Sequence, residues 1–338
     1  MSLPVDVFIW GLWREGAARS DMSARSVVLV TGGSGLVGRA LEAVQKRNPC
    51  ADEQWVFLSS RDGDLTSMEA TKAVFEKYRP DLVIHLAAKV GGLFKNMRLP
   101  VEMWHENVAI NNNVLECCRI YGVKKMVSCL STCIFPDKTT YPINENMLHD
   151  GPPHSSNEAY SYAKRMMDVM NRAYRNEYGC NFTSVIPTNI YGPHDNYNLQ
   201  DSHVVPGLIH RFYLAKQAGR PMTVMGTGRP LRQFIYSEDL AELLIWVMRE
   251  YTEGSPIILS VDESDEVSIA DVVKMIAEAI EFKGDIVFDS SKADGQYQKT
   301  ADNSKLRKYM PEYKFTPMAE GIKRSVEWFV QNYDVARK

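Results

Sequence analysis

The feature that most constrains this chain is a glycine-rich turn between an apolar strand and a helical stretch. The run Val27–Thr31 leads into the turn, and a sequence typical of a helix follows from Arg39. Glycines at this spacing allow a tight turn, close approach of the backbone to a pyrophosphate, and tight helix-on-strand packing. The helix N-terminus also presents free N–H groups to an anion. We therefore predict that this turn binds a dinucleotide and is not purely structural. The predicted contacts are Gly32, Gly33, Ser34, Gly35, Leu36, Val37 and Gly38.

The end of the second predicted strand distinguishes between the two common dinucleotides. NAD-binding proteins usually place an acidic residue there to accept the ribose hydroxyls. This chain instead has Ser59, Ser60 and Arg61. Because no carboxylate repels a phosphate at this point and Arg61 can neutralise one, the sequence favours NADP. The alternative is that Arg61 pairs with Asp62 or Asp64 on the surface.

Short β-branched runs alternate with helical stretches along most of the chain. One such stretch is Thr66–Tyr78, for which Thr66 and Glu69 form a predicted capping box. Alternation of strands and helices predicts a doubly wound parallel sheet of the Rossmann type, in the α/β class. The predicted strands are Val27–Val30, Trp55–Leu58, Leu82–Leu86, Lys125–Leu130, Thr183–Ile186 and Ile257–Val261.

The alternation ends after Pro187, where a polar stretch containing Gly and Pro begins. We predict a dinucleotide-binding domain from residues 26–190 with 233–261, and a smaller, discontinuous α/β substrate-binding lobe from 191–232 with 262–333. Residues 1–25 are predicted to be an extension outside the fold. Their apolar segment, Val7–Trp13, is too short to span a bilayer and lacks the preceding basic residues of a secretory signal.

Overall charge and cysteine content exclude several classes of partner. The chain has 39 basic and 42 acidic residues, so its net charge of -3 gives no global attraction to nucleic acid or to an anionic membrane. Its six cysteines contain no C-x-x-C pair, which predicts reduced thiols and a cytoplasmic location. We therefore expect a small-molecule partner, no nucleic acid, no membrane and no metal site.

Tyr160 and Lys164 lie four residues apart in a predicted helix, so their side chains share one face. A phenol titrates near pH ~10, and a nearby ammonium lowers this pKa, so Tyr160 is predicted to exchange a proton with a substrate oxygen near neutral pH. Ser131 follows the fourth strand, where the ligand crevice of such a sheet forms, and is predicted to bond the same oxygen. As an isolated pair, Tyr160 and Lys164 would more often be structural.

The order of these motifs resembles the extended short-chain dehydrogenase/reductase family. The matching segments, from residue 26 nearly to the end, are Thr31–Gly38, Leu86–Ala88, Ser131, Tyr160 with Lys164, and Arg232–Asp239. The resemblance implies that Lys164 bonds the nicotinamide ribose. It also implies further cofactor contacts from Asp64, Leu65, Ala87, Ala88, Pro187, Thr188, Asn189 and Ile190. It implies a homodimer as well, formed by pairing helices at Trp104–Tyr121 and Tyr160–Tyr178.

A finer set of motifs is similar to NADP-dependent members that epimerise and reduce GDP-4-keto-6-deoxy-D-mannose. These motifs are Ser131–Pro136, Asn157–Tyr160, Pro187–Asn196 and Ser202–Pro206. The resemblance implies 3,5-epimerisation of this GDP-sugar followed by reduction of its 4-keto group.

Epimerisation beside a ketone requires a base and an acid beyond the three reductase residues. Cys133 and His203 suit these roles, because a thiolate can remove the α-proton and an imidazole can return one. His203 is also implied as a cofactor contact. The alternatives are that Cys133 is a small packing residue and that His203 is a loop histidine bonded to backbone. Two other histidines are predicted to be structural: His194, and His85 because it falls in the middle of a strand.

Substrate contacts are also carried over from the resemblance. Arg211 and Arg232 match positions that hold the nucleotide diphosphate, a role suited to charge-assisted forked hydrogen bonds, with a solvated surface as the alternative. Asp294 matches a position that contacts the sugar nucleotide. The chain departs from the family at Met225, where Trp is common, so a stacking contact is in doubt there.

Two other functions compete with this interpretation. The first is a nucleotide-sugar 4-epimerase, a 4,6-dehydratase or a simple 4-ketoreductase of the same fold. Dehydratases of the family have Asp and Glu beside the Ser/Thr position, whereas this chain has Thr132 and Cys133. The second is a redox-sensing scaffold that binds NADP without turnover, against which the intact Ser131, Tyr160 and Lys164 argue.

Overall fold

The computed structural model describes residues 25–291 and 297–338. Asp294 and all of the predicted N-terminal extension except Arg25 therefore lie outside the described residues. Within the described part, no helix has the length and apolarity needed to cross a bilayer.

The chain alternates strands and helices over most of its length. In chain order the strands are β1 (Ser26–Thr31), β2 (Glu53–Phe57), β3 (Leu82–His85), β4 (Lys125–Cys129), β5 (Phe182–Pro187), β6 (Asn189–Tyr191), β7 (Met222–Met225), β8 (Leu231–Arg232), β9 (Phe234–Tyr236), β10 (Ile257–Leu259), β11 (Val267–Ser268) and β12 (Ile286–Asp289). The α-helices are α1 (Leu36–Arg47), α2 (Met68–Tyr78), α3 (Leu93–Arg98), α4 (Pro100–Ile120), α5 (Glu158–Tyr178), α6 (Val204–Ala218), α7 (Ser237–Arg249), α8 (Ile269–Ala279), α9 (Ser304–Tyr309) and α10 (Met318–Gln331).

The main sheet has six strands in the order β10-β5-β4-β3-β1-β2, and every neighbouring pair is parallel. The predicted doubly wound α/β class is confirmed. The last predicted strand does rejoin this sheet, since Ile257 of β10 pairs with Val185 of β5. From β1 the chain adds β2 on one side and then β3 and the later strands on the other, so the strand order reverses between β1 and β3. A ligand crevice is expected at the carboxyl ends of these two strands.

Strand β1 is buried on both faces of the sheet, as its continuous apolar sequence predicts. Val28 and Val30 pack into one apolar core with Leu41 of α1 and Leu244 of α7. Leu29 points the opposite way, into a second core that includes side chains of α2 and α4. Successive residues of a strand face opposite sides, so this single strand anchors the helices of both layers.

Helix α2 begins later than the sequence predicted, and its predicted capping box is wrong. Ser67 is the N-cap, and its Oγ accepts a hydrogen bond of 3.3 Å from the N–H of Ala70. Thr66 instead donates its hydroxyl to Asp64 at 2.7 Å, and its N–H bonds the same carboxylate. Local bonding of this kind competes with capping by the Thr66 side chain.

A separate apolar core lies among elements that follow β5. It contains Tyr197, Phe212, Val272, Ile322 and Phe329, all fully buried. Three two-stranded sheets lie in this region: β7 with β12, β8 with β11, and β6 with β9. This separate core, around Phe212 and Phe329, draws on discontinuous stretches of chain, as expected for a substrate lobe. The predicted domain boundaries stay a prediction.

A buried carboxylate lies in the loop between β6 and α6. Asp195 is 4% exposed, and its Oδ1 accepts a hydrogen bond of 2.6 Å from the N–H of Asn196. Its Oδ2 has no hydrogen-bond partner among the described residues. Burial raises the pKa of Asp195 to about 7, although the Asn196 bond and the charge of Arg337 act in the opposite direction. This carboxylate therefore destabilises the fold when it is ionised.

We expect Asp195→Asn to remove a pH dependence of stability. Because the folded-state pKa of Asp195 lies above its unfolded value, the folded protein holds a proton that the unfolded chain releases, so stability falls as pH rises toward 7. The free energy of unfolding of the wild type, relative to the variant, should fall by about 2–3 kcal/mol between pH 5 and pH 8. Urea denaturation at both pH values measures this, with exposed Asp265→Asn as control. A constant difference would contradict it.

Candidate active site

The glycine turn lies at the carboxyl end of β1, in the expected crevice. The N–H of Gly33 donates to the Leu58 carbonyl at 2.6 Å, and the N–H of Gly35 donates to the Gly32 carbonyl at 3.0 Å. Gly35 is the N-cap of α1 and supplies no side-chain cap, so the first-turn N–H groups of α1 have no partner within the helix. These groups can bind a pyrophosphate.

The glycines of this turn serve different purposes. A Cβ on Gly33 would lie 2.7 Å from Phe57, and one on Gly38 would lie 2.5 Å from the backbone of Gly33. Gly32 has a φ of 69°, which side-chain-bearing residues rarely adopt. Protein packing around Gly35 is looser, with the nearest atom, the Gly32 carbonyl oxygen, at 3.3 Å from a built Cβ. Of the four glycines, Gly35 is thus the one at which the protein crowds a side chain least.

The end of β2 provides an exposed cation beside this turn. Asp62 accepts hydrogen bonds from the N–H and the hydroxyl of Ser59, at 2.7 and 2.8 Å, and Asp64 accepts from Thr66. Within residues 25–291 and 297–338, Arg61 forms no ion pair with either carboxylate. The alternative in which a neighbouring aspartate neutralises Arg61 is therefore not observed, and the guanidinium is free to meet a phosphate.

Thr31 ties the glycine turn to the residues that follow β3. Its Oγ1 accepts hydrogen bonds from the N–H groups of Leu86 and Ala87, each 3.1 Å long. This bonding fixes the backbone of Ala87 and Ala88 at the crevice, where the sequence predicts contacts with adenosine. Leu65, also a predicted contact, is held through its carbonyl by Asn113 of α4 at 2.9 Å.

His85 is not in the middle of a strand, as the sequence suggested, but is the last residue of β3. It is fully buried; its Nδ1 lies 2.7 Å from Thr31 Oγ1 and its Nε2 lies 3.2 Å from Asn111 Oδ1. Burial and the nearby charge of Lys164 lower the pKa of His85 to about 3, so the ring is neutral. Both ring nitrogens bond protein atoms, as expected of a structural histidine.

The backbone after β5 forms another wall of the crevice. Pro187 ends the strand, the Thr188 N–H donates to the Leu259 carbonyl at 3.2 Å, and the Asn189 side chain bonds the Gln233 carbonyl at 2.9 Å. Thr188 is 5% exposed, yet its hydroxyl has no partner among the described residues. Buried hydroxyls are normally bonded, so this group fits a contact with a bound cofactor. Ile190 continues the segment in β6.

Helix α5 brings Tyr160 and Lys164 to the loop that follows β4. Lys164 is 2% exposed, and its Nζ donates to the Cys129 carbonyl at 2.9 Å. Ser131 caps the short 3₁₀ turn Thr132–Ile134, because its Oγ accepts a bond of 3.4 Å from the N–H of Cys133. The thiols of Cys129 and Cys133 lie close enough to influence the pKa of both Tyr160 and Lys164. The structure thus brings together four of the five predicted catalytic residues.

The protonation of Tyr160 differs from the sequence-based expectation. Burial raises the pKa of its phenol well above the ordinary value, and the Cys133 and Cys129 thiols add to this increase. The Lys164 ammonium does not offset it, since that group bonds a backbone carbonyl and burial lowers its own pKa. Tyr160 is therefore protonated at neutral pH and suited to donate a proton.

Lys299, which no sequence motif marks, lies among the ionisable groups near Cys133. Burial lowers the pKa of Lys299, and Cys133, Arg232 and Asp137 are the charged groups that influence it. Burial also lowers the pKa of Arg232, which interacts with Tyr141. Lys299 therefore places a cation near the Cys133 thiol, and a nearby cation is one feature of the sites in which reactive cysteines occur. Asp137 directly follows a recognised motif, but no local signal marks Lys299.

His203, Arg211 and Met225 line one open cavity of about 430 Å³. His203 is the N-cap of α6, but its side chain caps nothing and its imidazole makes no hydrogen bond within the described part of the chain. Its surface is open to the cavity, while the surrounding protein desolvates the ring and lowers the pKa of His203. The imidazole is therefore mostly neutral at neutral pH. Arg211 bonds the Leu199 carbonyl at 3.3 Å, and Met225 is 53% exposed.

The predicted site residues therefore fall into two groups. One surrounds Cys133 and Tyr160 at the carboxyl edge of the sheet, and the other lines the cavity beside α6. Across the described ranges, no hydrogen bond joins Cys133 to His203. A substrate that reached both groups would bridge the edge of the main sheet and the separate core around Phe212 and Phe329.

Comparison with known proteins gives a consistent result. A sequence model of the NAD dependent epimerase/dehydratase family matches residues 28–261. A GDP-L-fucose synthase of Dictyostelium discoideum is 60% identical over 319 residues, covering 94% of this chain and 100% of that protein. A probable GDP-L-fucose synthase of Drosophila melanogaster is 55% identical, covering 92% and 99%. The structure of a GDP-L-fucose synthetase from Naegleria fowleri bound to NADP has a TM-score of 0.90 at 54% identity, covering 93% of this chain and 95% of that one.

Substitutions in the glycine turn should separate folding from dinucleotide binding. We expect Gly38→Ala to lower the melting temperature, because its Cβ would lie 2.5 Å from the backbone of Gly33. Gly35→Ala should lower the melting temperature less than Gly38→Ala does, because its Cβ would lie 3.3 Å from the nearest atom, but it should weaken dinucleotide binding by about tenfold or more, because the methyl group blocks the pyrophosphate. Thermal unfolding and fluorescence titration with NADPH measure the two effects.

Gly151→Ala is the control for both substitutions, since its nearest neighbour, Pro136, lies 3.4 Å from a built Cβ. Normal dinucleotide affinity in Gly35→Ala would show that the pyrophosphate binds elsewhere.

Proposed function

Since this chain belongs to the NAD dependent epimerase/dehydratase family, we propose that it converts GDP-4-keto-6-deoxy-D-mannose to GDP-L-fucose with NADPH. The observation that carries this proposal is the position of Cys133, on a short turn that packs against α5, the helix of Tyr160 and Lys164. A reductase alone needs no such thiol, whereas epimerisation on both sides of the ketone does need a base. The GDP-L-fucose synthase relatives, which match nearly this whole chain, support the same activity.

Epimerisation begins with removal of a proton from a carbon beside the C4 ketone. Cys133, as the thiolate, takes this proton, and the electron pair moves to the C4 oxygen to give an enolate. Ser131 and Tyr160 stabilise that oxygen by donating hydrogen bonds. His203 returns a proton to the opposite face of the carbon. Its lowered pKa makes the imidazolium a stronger acid than an ordinary histidine. Water then takes the proton from the Cys133 thiol and returns one to His203, so the same two groups can serve both C3 and C5.

Reduction uses the remaining groups of the crevice. Bound NADPH supplies a hydride for C4. Tyr160 donates its phenolic proton to the C4 oxygen, a role that suits its raised pKa. Lys164, held at the Cys129 carbonyl, is in position to bond the nicotinamide ribose. Arg61 suits the 2′-phosphate that distinguishes NADP from NAD.

The GDP portion of the substrate is assigned to the cations of the two groups of residues. Arg211 in the cavity and Arg232 at the end of β8 hold the diphosphate by charge-assisted hydrogen bonds. Met225 replaces a stacking aromatic with a polarizable, flexible thioether at the cavity wall. Asp294 remains part of this proposal as a contact to the sugar nucleotide.

We also infer a homodimer formed through α4 and α5. These helices pack against each other and leave Val101, Trp104 and Met166 exposed, with Val101 at 68%. A second copy would cover this apolar surface in a four-helix bundle. The six cysteines are free, as the predicted cytoplasmic location requires. That location and the expected lack of nucleic-acid and membrane partners stay predictions.

An incubation in heavy water tests the proposed reaction. The protein is mixed with NADPH and GDP-4-keto-6-deoxy-D-mannose, and both cofactor oxidation and deuterium at C3 and C5 are measured. Oxidation with label at both carbons is expected. Oxidation without label would indicate a simple 4-ketoreductase. The absence of both oxidation and label would favour the epimerase, dehydratase or sensor alternatives.

Two substitutions should separate the two half-reactions. We expect Cys133→Ser to slow deuterium exchange by about 100-fold, because a hydroxyl is a much weaker base than a thiolate, while reduction of an already epimerised 4-keto sugar is less affected. Tyr160→Phe should abolish NADPH oxidation and leave part of the exchange. An equal loss of both activities in Cys133→Ser would reduce that residue to a packing role.

The double variant Val101→Asp/Met166→Asp should be monomeric, because charge on the apolar face of α4 and α5 opposes its burial in an interface. Light scattering coupled to size exclusion measures the mass. Val335→Asp introduces the same charge at a position that is 79% exposed and lies outside these helices, so it should not change the mass. A dimeric double variant would rule out this surface.

A further inference from the structure

The loop that carries His203 is tied to the segment that leads into α4. The carbonyl oxygen of Asp201 accepts a hydrogen bond of 3.1 Å from the N–H of Gly92, the N-cap of α3. The carboxylate of Asp201 pairs with the guanidinium of Arg98, at the end of α3, over 3.3 Å. Asp201 is therefore held by a backbone contact and a charge contact, two residues before His203.

Gly92 must lack a side chain for this approach. A Cβ built on Gly92 would lie 2.9 Å from the carbonyl oxygen of Ser202 and 3.4 Å from that of Asp201. Its φ is -63°, so the backbone conformation itself does not require glycine. The close contact with the loop, and not local conformation, accounts for glycine at this position.

The loop is stiff enough to transmit this contact. The Oδ1 atom of Asn198 accepts hydrogen bonds from the N–H groups of Gln200 and Asp201, at 2.9 and 3.0 Å. The N–H of Ser202 donates to the Asn198 carbonyl at 3.1 Å. These bonds link Asp201 and Ser202 into a single turn that enters α6 at His203.

The imidazole of His203 has no support of its own. Its ring forms no hydrogen bond with any other described residue, and its side chain does not cap α6. The backbone at Asp201 and Ser202 therefore determines where this ring lies. Cys133, the other proton-transfer group, lies in the short turn that follows β4, at the carboxyl edge of the main sheet.

We propose that Gly92, Arg98 and Asp201 form a latch that positions the His203 imidazole for proton return to the sugar ring. The assignment rests on the proposed function. The latch joins the segment that follows β3 to the loop that carries His203. Cys133 follows the neighbouring strand β4, so the latch fixes the separation of the two proton-transfer groups. All three are positioning residues, since none is assigned a contact with the reacting atoms.

The two contacts of the latch should differ in strength. The Arg98 side chain is 55% exposed and that of Asp201 is 25% exposed, so their ion pair is screened by water and salt. The Gly92 contact is made between backbone atoms at a fixed distance. We therefore assign most of the positioning to Gly92 and a smaller, salt-dependent part to Arg98.

The test measures deuterium exchange into GDP-4-keto-6-deoxy-D-mannose without NADPH, and separately NADPH oxidation with an already epimerised 4-keto sugar. Gly92→Ala should slow exchange by about tenfold, because small displacements of a proton-transfer group are costly. Arg98→Met and Asp201→Asn should each slow it by about threefold, as should their combination, since they break one ion pair. Reduction and the KM for the sugar nucleotide should change little. The melting temperature should fall in Gly92→Ala, because its Cβ would lie 2.9 Å from the Ser202 carbonyl oxygen, but not in Arg98→Met or Asp201→Asn.

Three comparisons make the test specific. Arg98→Lys should restore part of the exchange rate, and high salt should slow the wild type but not Arg98→Met. Arg220→Met, an exposed arginine beyond α6, and Gly151→Ala are the matched controls.

Other outcomes would overturn the latch. Because Arg98 and Arg211 line the same cavity, a raised KM in Arg98→Met with no change in Asp201→Asn would make Arg98 a substrate-binding residue instead. Equal losses of exchange and reduction, or additive effects of Arg98→Met and Asp201→Asn, would also overturn it. A wild type that neither exchanges deuterium nor oxidises NADPH would fail the proposed function first, which keeps the two failures distinct.

Discussion

The site depends on the contact between the first turn of α1 and the glycine turn after β1. Gly38 and Gly33 approach so closely that a Cβ on Gly38 would lie 2.5 Å from the backbone of Gly33. This contact seats α1 on the sheet and directs its N-terminus into the crevice between β1 and β3. On the other side of the turn, Thr31 holds the Ala87 backbone. Dinucleotide binding thus follows from the same packing that holds the sheet and helix together.

Burial then sets the protonation of the groups around this crevice. The same desolvation raises the pKa of Tyr160 and lowers those of Lys164 and His203, because it disfavours whichever form is charged. The outcome is a protonated phenol that can act as an acid, and an imidazole that holds a proton weakly. These are the properties that reduction and proton return at a ketone would use.

The proposed chemistry also requires groups from two regions to act on one sugar ring. Cys133 lies on the short turn after β4 and Tyr160 lies on α5, both beside the main sheet. His203 directly precedes α6, a helix that packs into the separate core around Phe212 and Phe329. Side chains on separate layers keep a fixed distance only if something joins the layers near the site. The contact of Gly92 and Arg98 with Asp201 is such a junction.

Sequence alone determined the features that depend on local spacing. The glycine turn, the six strands and the shared face of Tyr160 and Lys164 follow from the periods of strand and helix. The tertiary structure decided what depends on burial and on contacts between distant segments. It placed Lys299 near Cys133, put His85 at a strand end, and left Tyr160 protonated despite its proximity in sequence to Lys164. Desolvation and long-range approach have no period in the sequence, so only the folded chain shows them.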